Sequence, residues 1–288
     1  MPILIDFSGT VHAGVHVDIR NHNDASKEFL RHIILNQIKA IRKKFVDQYG
    51  EPVICMDSWC GYWRKDLFPY YKAKRKEARE ASAINWNEVF SYINEIAREI
   101  EENLPYKVIR VNKAEADDII GTLAYKQPWN EESLFGDAER CLIVSNDHDF
   151  KQLHGIHGVQ QYFPHSRKIE RVTKPELFLI EHILKGDSGD GIPNVRSVAN
   201  VFLLDGVRQT AVTQKYIKEF LTTGTVPECD KARYEENKKL IDLRNVPENI
   251  QNNIITQYRN APHGNRSKLF LYFAQHSLNN HLEHITDF

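Results

Sequence analysis

The chain has 288 residues, 41% of them hydrophobic and 27% charged, with a net charge of −1 at pH 7. That supplies a substantial core for one large domain or two unequal ones and excludes a disordered or fibrous chain. No apolar run approaches the ~20 residues of a membrane span, and the opening MPILIDFSGT lacks the basic lead of a signal peptide; Cys55, Cys60, Cys141 and Cys229 show no CxxC spacing, so free thiols in a reducing cytoplasm are expected.

The first apolar run, Ile3-Leu4-Ile5, ends in Asp6. EFLRHIILNQIKAIRKKF follows, with a helical stripe of Leu30, Ile33-Ile34, Ile38 and Ile41. Val53 to Met56 reads as a second strand and ends in Asp57. NEVFSYINEIAREIEENL is the next amphipathic helix, and Val108 to Val111 a further strand. Asn112 is the expected N-cap of a helix carrying Ile119-Ile120 and Leu123. Cys141 to Val144 is the next strand, and two aspartates, Asp147 and Asp149, stand just past it. EHILKGDSGDGIPNV then predicts a helix over 176–185, a Gly-rich loop with Asp187 and Asp190, and another helix from about Val195. Strands alternating with helices imply an α/β fold with a mainly parallel central sheet, followed by a smaller helical region. The expected division is an α/β part over 1–180 and a helical part over 181–288.

Ligands of such sheets sit beyond the carboxyl ends of the strands, where three strands deliver an aspartate each. A single aspartate there is usually a turn or a cap. Asn112 and Glu115 also have capping-box spacing, which accounts for Glu115 without chemistry. It does not account for Asp117 beside Asp118, since two charges ~4 Å apart cost roughly 1 kcal/mol in water and about 4 at an effective dielectric of 20. A divalent cation would relieve that repulsion, and oxygen-only ligands suit Mg²⁺ or Mn²⁺ rather than zinc.

Between Tyr62 and Glu80, GYWRKDLFPYYKAKRKEARE holds seven basic and five aromatic residues. A basic run alone is usually a solvated face. Interleaved aromatics suit nucleic acid, because bases stack on rings while Lys and Arg track phosphates. A basic arch over 62–86, rising above the acidic edge, is therefore expected, with Lys74, Arg75, Lys76 and Arg79 on phosphates. In the Gly-rich loop, Gly186, Gly189 and Gly191 are expected to offer backbone amides to a phosphate, the plain alternative being an ordinary helical hairpin.

ILIDFSG, CMDSWCGYWRKDLFPYYKAKR, KAEADDIIG, VSNDHDFKQL and ILKGDSGDGIPNV, in this order and spacing, resemble the flap endonuclease and 5′-nuclease family, its phage-encoded members above all. The resemblance implies a PIN-like nuclease core and two Mg²⁺ ions, replaceable by Mn²⁺, on Asp6, Asp57, Glu115, Asp117, Asp118, Asp147, Asp149, Asp187 and Asp190. It places Arg64 and Lys72 at the scissile phosphate, makes Asp117 and Asp147 catalytic, and makes Tyr71 a stacking residue. It implies DNA and RNA–DNA duplexes with 5′ ends or flaps as substrates, a single-stranded-DNA-binding protein of the replication machinery as companion, and a monomer in the host-cell cytoplasm. It also implies a potassium ion at the helix–loop–helix, but GIPNVRSVANVF lacks the family's further Gly-x-Gly, which puts that ion in doubt. Three rivals are weaker. A phosphatase with a DxDxT loop would need an acid where Ser8 stands; a small PIN-like ribonuclease would lack the helical C-terminal region; a silent binding module would not want so many carboxylates.

Overall fold

The computed structural model describes residues 1–11, 19, 24–75, 84–132 and 140–288. Strands β1 (Ile3–Asp6), β2 (Pro52–Cys55), β3 (Lys107–Ile109), β4 (Cys141–Val144), β5 (Val159–Phe163) and β6 (Lys168–Glu170) form one sheet in the order β3-β2-β1-β4-β5-β6. All pairings are parallel except β5–β6. Leu4 lies opposite Val53 on one side and Ile143 on the other, so β1 is central and buried on both faces. The chain builds outward from β1 to β3, then returns to β4 on β1's other flank. That reversal opens a crevice beyond the carboxyl ends of β1 and β4.

Side chains alternate between two cores, as the two-residue strand period requires. Ile3, Ile5, Ile54, Leu142 and Val144 face α1 (Lys27–Tyr49) and, beyond the short α2 (Trp63–Leu67), the long helix α3 (Trp86–Asn103) through Val89, Ile93, Ile96 and Ile100. Leu4, Val53, Cys55, Cys141 and Ile143 face α4 (Ala116–Lys126) through Ile119, Ile120 and Leu123. Ser26 caps α1, its hydroxyl accepting the Phe29 amide at 3.3 Å, and Gly50 ends it.

The mainly parallel α/β sheet with a helical C-terminal region agrees with the sequence reading. The last third of the chain, however, does not pack as a core of its own. α5 (Pro175–Lys185), α6 (Gln214–Thr223) and α7 (Glu228–Ile241) make two small clusters, one of which takes in Phe68 and Tyr71. α8 (Glu248–Asn260) then joins the α4 face through Ile250 and Ile254, while α9 (Leu269–Gln275), α10 (Asn279–Leu282) and Phe288 join the α1 face. The expected helix from Val195 is absent: residues 195–200 are turns, followed by a single 3-10 turn at Val201–Leu203. Asn194 explains this. Its side-chain oxygen accepts the Arg196 amide and the Ser197 hydroxyl, both at 3.0 Å, and its amide donates to Thr210 O at 2.8 Å. An Asn bonded this way favours a turn over a helix.

Candidate active site

Asp6 closes β1 and is buried. Its carboxylate accepts the Gly9 amide at 2.8 Å and the Ser145 hydroxyl, from beyond β4, at 2.7 Å. Gly9 is required here, because a Cβ would collide with that carboxylate. Burial pushes the Asp6 carboxyl up to about 7 against those two hydrogen bonds, and the charges of Asp57 and Asp147 push the same way. Asp57 accepts the Ala116 amide at 2.8 Å, so the loop after β2 is fastened to the first turn of α4.

That first turn carries the densest charge. Glu115, Asp117 and Asp118 each present an oxygen within 4.8 Å of the others. The cap differs from the expected one: Glu115, not Asn112, precedes the helix, and Asp118 accepts the Glu115 amide at 2.9 Å. Asp118 also accepts the Trp63 indole N–H at 3.0 Å. Burial raises the carboxyls of Glu115 and Asp117 despite the cations beside them.

Two of those cations come from the basic segment, and both reach carboxylates. Arg64 is 2% exposed and pairs with Glu115 at 2.9 Å, Asp118 at 2.8 Å and Asp117 at 3.7 Å, while donating to Leu240 O at 2.8 Å. It is the internal counter-ion of the cluster. Lys72 bridges Glu115 and Asp190, the latter at 3.5 Å. Tyr71, expected to stack on a base, is 1% exposed; its hydroxyl lies 2.8 Å from Glu115 and 2.7 Å from Asp190. Its ring packs with Phe68, Leu179, Ile183 and Ile192. Residues 68–75 thus pack against the Gly-rich loop, while residues 76–83 of the expected arch lie outside the described residues. Lys74 is exposed, its amine 5.9 Å from the Phe202 ring, and Arg75 pairs with Asp190. Lys76 and Arg79 lie outside the described residues.

A second group lies beyond β4. Asp149, His182 and Asp187 each offer a ligand atom within 4.8 Å of the others. Asp147 is exposed and its carboxylate accepts the Asp149 amide at 2.8 Å. Burial and the neighbouring Asp147, Asp187 and Asp190 hold the Asp149 carboxyl well above its usual range. Asp190 goes the other way: burial alone would raise it, but Lys72 and Arg75 hold it low. The loop's glycine amides are already used. Gly186 donates to His182 O at 2.8 Å, Gly189 to the Asp187 carboxylate at 2.8 Å and Gly191 to Ser188 O at 3.3 Å.

Two residues with no chemical signature in the sequence position this half. His182 sits on α5, 3.4 Å from Asp149 and 3.8 Å from Asp187. Gln161, fully buried in β5, donates to Ser145 O at 3.0 Å and Asp147 O at 2.7 Å and so pins the turn that carries Asp147. His154 fixes that amide's orientation: its Nδ1 accepts the Val172 amide at 3.1 Å, so its Nε2 donates to Gln161 Oε1 at 2.9 Å. A polar residue in the middle of VQQYF also hides β5 from a pattern of apolar runs.

The donor set fits divalent cations. Five carboxylates stand in two close groups, burial holds Asp6, Asp117 and Asp149 against their natural ionisation, and oxygen donors of this kind suit hard cations.

A mainly parallel α/β sheet with acidic groups at its switch point is an arrangement that suits divalent cations. Residues 3–179 match the model of the 5′-3′ exonuclease N-terminal resolvase-like domain, and residues 173–288 match the C-terminal domain of T4 RNase H. The chain belongs to the 5′-3′ exonuclease family. It is 31% identical to the Ribonuclease H of Enterobacteria phage T4 over 99% of this chain and 95% of that protein. It is 33% identical to the Flap endonuclease Xni of Shewanella pealeana over 47% of this chain and half of that one. Among solved structures, the T5 5′-exonuclease with bound zinc superposes with a TM-score of 0.61 at 15% identity, covering 91% of this chain and 99% of that one. The T5 D15 flap endonuclease in complex with DNA and metal ions also gives 0.61, at 16% identity, covering 88% and 96%. At that identity these two speak for the fold.

Proposed function

We propose that the protein is a Mg²⁺-dependent, structure-specific 5′-nuclease that removes RNA primers or DNA flaps during replication. The observation that supports this most is the pair of acidic groups, Glu115/Asp117/Asp118 and Asp149/His182/Asp187, with Lys72 pairing Glu115 of the first and Asp190 beside the second. Asp6, Asp57, Glu115, Asp117 and Asp118 would hold one cation, and Asp147, Asp149, Asp187 and Asp190 the other, with Mn²⁺ able to replace Mg²⁺. Two bound cations supply countercharge for the attacking and leaving oxygens of an in-line displacement. The chain's own residues do the rest. Arg64 keeps three mutually repelling carboxylates in place, and Gln161 and Ser145 hold the two sides of the crevice in register. Lys72 is the one partly exposed cation spanning both groups, placed to meet a phosphate that displaces it from Glu115. Water adds across the P–O bond, leaving a 5′-phosphate and a 3′-hydroxyl, and no side-chain nucleophile is needed.

The proposed reading places the helical part from about residue 181 on duplex, a single-stranded-DNA-binding protein as companion, and the protein itself as a monomer in the cytoplasm. The test is cleavage of end-labelled nicked, flapped and RNA–DNA substrates with and without Mg²⁺. Products ending in 5′-phosphate only when Mg²⁺ is present support it. Cleavage that persists in EDTA, or a phosphorylated aspartate in the protein, would overturn it.

A further inference from the structure

Trp59 stands two residues past Asp57, at the carboxyl end of β2 and beside Arg110 just past β3. It is 50% exposed, an unusual degree for an indole. Its N–H donates to Asn94 on α3 at 3.3 Å, which fixes the ring's orientation. Two guanidinium groups converge on that ring: the Arg110 carbon lies 3.8 Å and the Arg98 carbon 4.8 Å from its centroid.

The charges around this cluster are unbalanced. Arg98 is exposed and has no ion pair among the described residues. Arg110 is largely buried, its Nε meets no hydrogen-bond partner, and its one carboxylate neighbour, Glu101, is 3.5 Å away and half exposed. Arg98 repels Arg110, while Asp57 attracts it. Two like charges gathered on one open aromatic ring favour an anion that also carries a flat face. A nucleotide has both, and base stacking with arginine tracking the phosphate is the usual grip on single strands.

The geometry points to Trp59, Arg98 and Arg110 as a binding site for one nucleotide of a single strand, just past the carboxyl ends of β2 and β3. This site extends the nuclease reading and rests on it: a strand leaving the crevice past Asp57 meets Trp59 next.

The structure supplies its own probe. Trp63 and Trp129 are buried and Trp86 is half-buried, so Trp59 is the tryptophan most open to a ligand. Binding of an oligothymidylate and of a flapped duplex is measured with Ca²⁺ replacing Mg²⁺, for the wild type, Trp59→Leu and Arg98→Gln. Both variants alter exposed side chains, and their melting temperatures are compared with the wild type's. The expected result is quenching of wild-type tryptophan emission by oligothymidylate, lost in Trp59→Leu. That variant should also bind the oligonucleotide roughly 5- to 150-fold more weakly, the range for loss of one base–aromatic stack. Arg98→Gln should lower the salt slope of single-strand binding by about 0.7, as loss of one phosphate contact does. Unchanged affinity and unchanged quenching in Trp59→Leu would overturn the site. If the wild type still cleaves the flapped duplex with Mg²⁺, the site alone has failed; if it neither binds nor cleaves, the nuclease reading has failed with it.

Discussion

The backbone amide of Lys72 donates to the carbonyl of Asp190 across 2.7 Å, so the basic segment and the Gly-rich loop are held as one unit. Gly191 makes this docking possible. Its φ of +75° is left-handed, and a Cβ there would lie 3.0 Å from the Tyr70 carbonyl. Gly191→Ala should cost about 1 kcal/mol or more through the backbone alone and loosen residues 68–75. Limited trypsin digestion read by mass spectrometry should then cut faster at Lys72, Lys74 and Arg75. Digestion at the wild-type rate would show that the contact does not hold the segment.

Arg64 and Lys72 should fail in different ways. Arg64→Gln leaves buried Glu115 and Asp118 without their shared cation, and breaking a buried pair of this kind typically costs 3–5 kcal/mol. At roughly 2–4 °C per kcal/mol, melting should fall by about 10 °C. Lys72→Ala should instead lower the single-turnover rate by about a hundredfold with a smaller change in binding, as loss of a donor to developing charge does. Equal melting temperatures for Arg64→Gln and the wild type would return Arg64 to the role of a phosphate contact.

Metal-free stability should fall as pH rises. The Asp6 carboxyl is raised from 3.8 to about 7, and Asp149 is raised well above its usual range. A folded chain that holds protons more tightly than the unfolded one has that stabilisation below the unfolded value and loses it as pH climbs through the folded one. Melting in EDTA should therefore drop between about pH 4 and 7, and Mg²⁺ should flatten the dependence. Asp149→Asn should melt higher than the wild type in EDTA at pH 7.5 and gain less from Mg²⁺. A lower melting temperature in EDTA would mean that its structural bonds outweigh the repulsion.

His182 adds a nitrogen donor to a group otherwise made of carboxylates. Imidazole suits Mn²⁺ less than it suits Zn²⁺ or Co²⁺, and Mg²⁺ least. Titration calorimetry of His182→Ala should show a larger loss of affinity for Co²⁺ than for Mg²⁺. Equal losses for both would make His182 a spacer between Asp149 and Asp187 rather than a ligand.

His281 is fully buried among Phe273, Phe288 and His32, with no hydrogen-bond partner at either ring nitrogen. Burial, helped by Lys39, pulls its value from 6.5 to about 4. The unfolded chain then binds the extra proton, so this stability is complete above about pH 6.5 and is lost as pH falls towards 4, with a slope approaching 1.4 kcal/mol per pH unit. With Mg²⁺ present, His281→Leu should flatten that acid limb in chemical denaturation at pH 4.5 to 7. An unchanged slope would locate the acid sensitivity elsewhere.

Sequence by itself determined the sheet's strands that end in acid. Ile3–Asp6, the run before Asp57 and Cys141–Val144 are continuous apolar stretches because a central parallel strand must be buried on both faces, and that burial is written in composition. The order of its motifs pointed to acidic residues beyond these strands, and Glu115, Asp117 and Asp118 form one close group while Asp149 and Asp187 join His182 in another. Tertiary structure decided what surrounds them. Whether Arg64 reaches a phosphate or its own carboxylates, whether Tyr71 stacks or is buried, and whether the loop amides are free depends on contacts between segments up to 176 residues apart, as from Arg64 to Leu240. Gln161 and His182 carry no local pattern for the same reason. Side-chain type sets what a residue is able to bond, and only the packing of β5, α5 and the Gly-rich loop against the sheet edge sets which partner it meets.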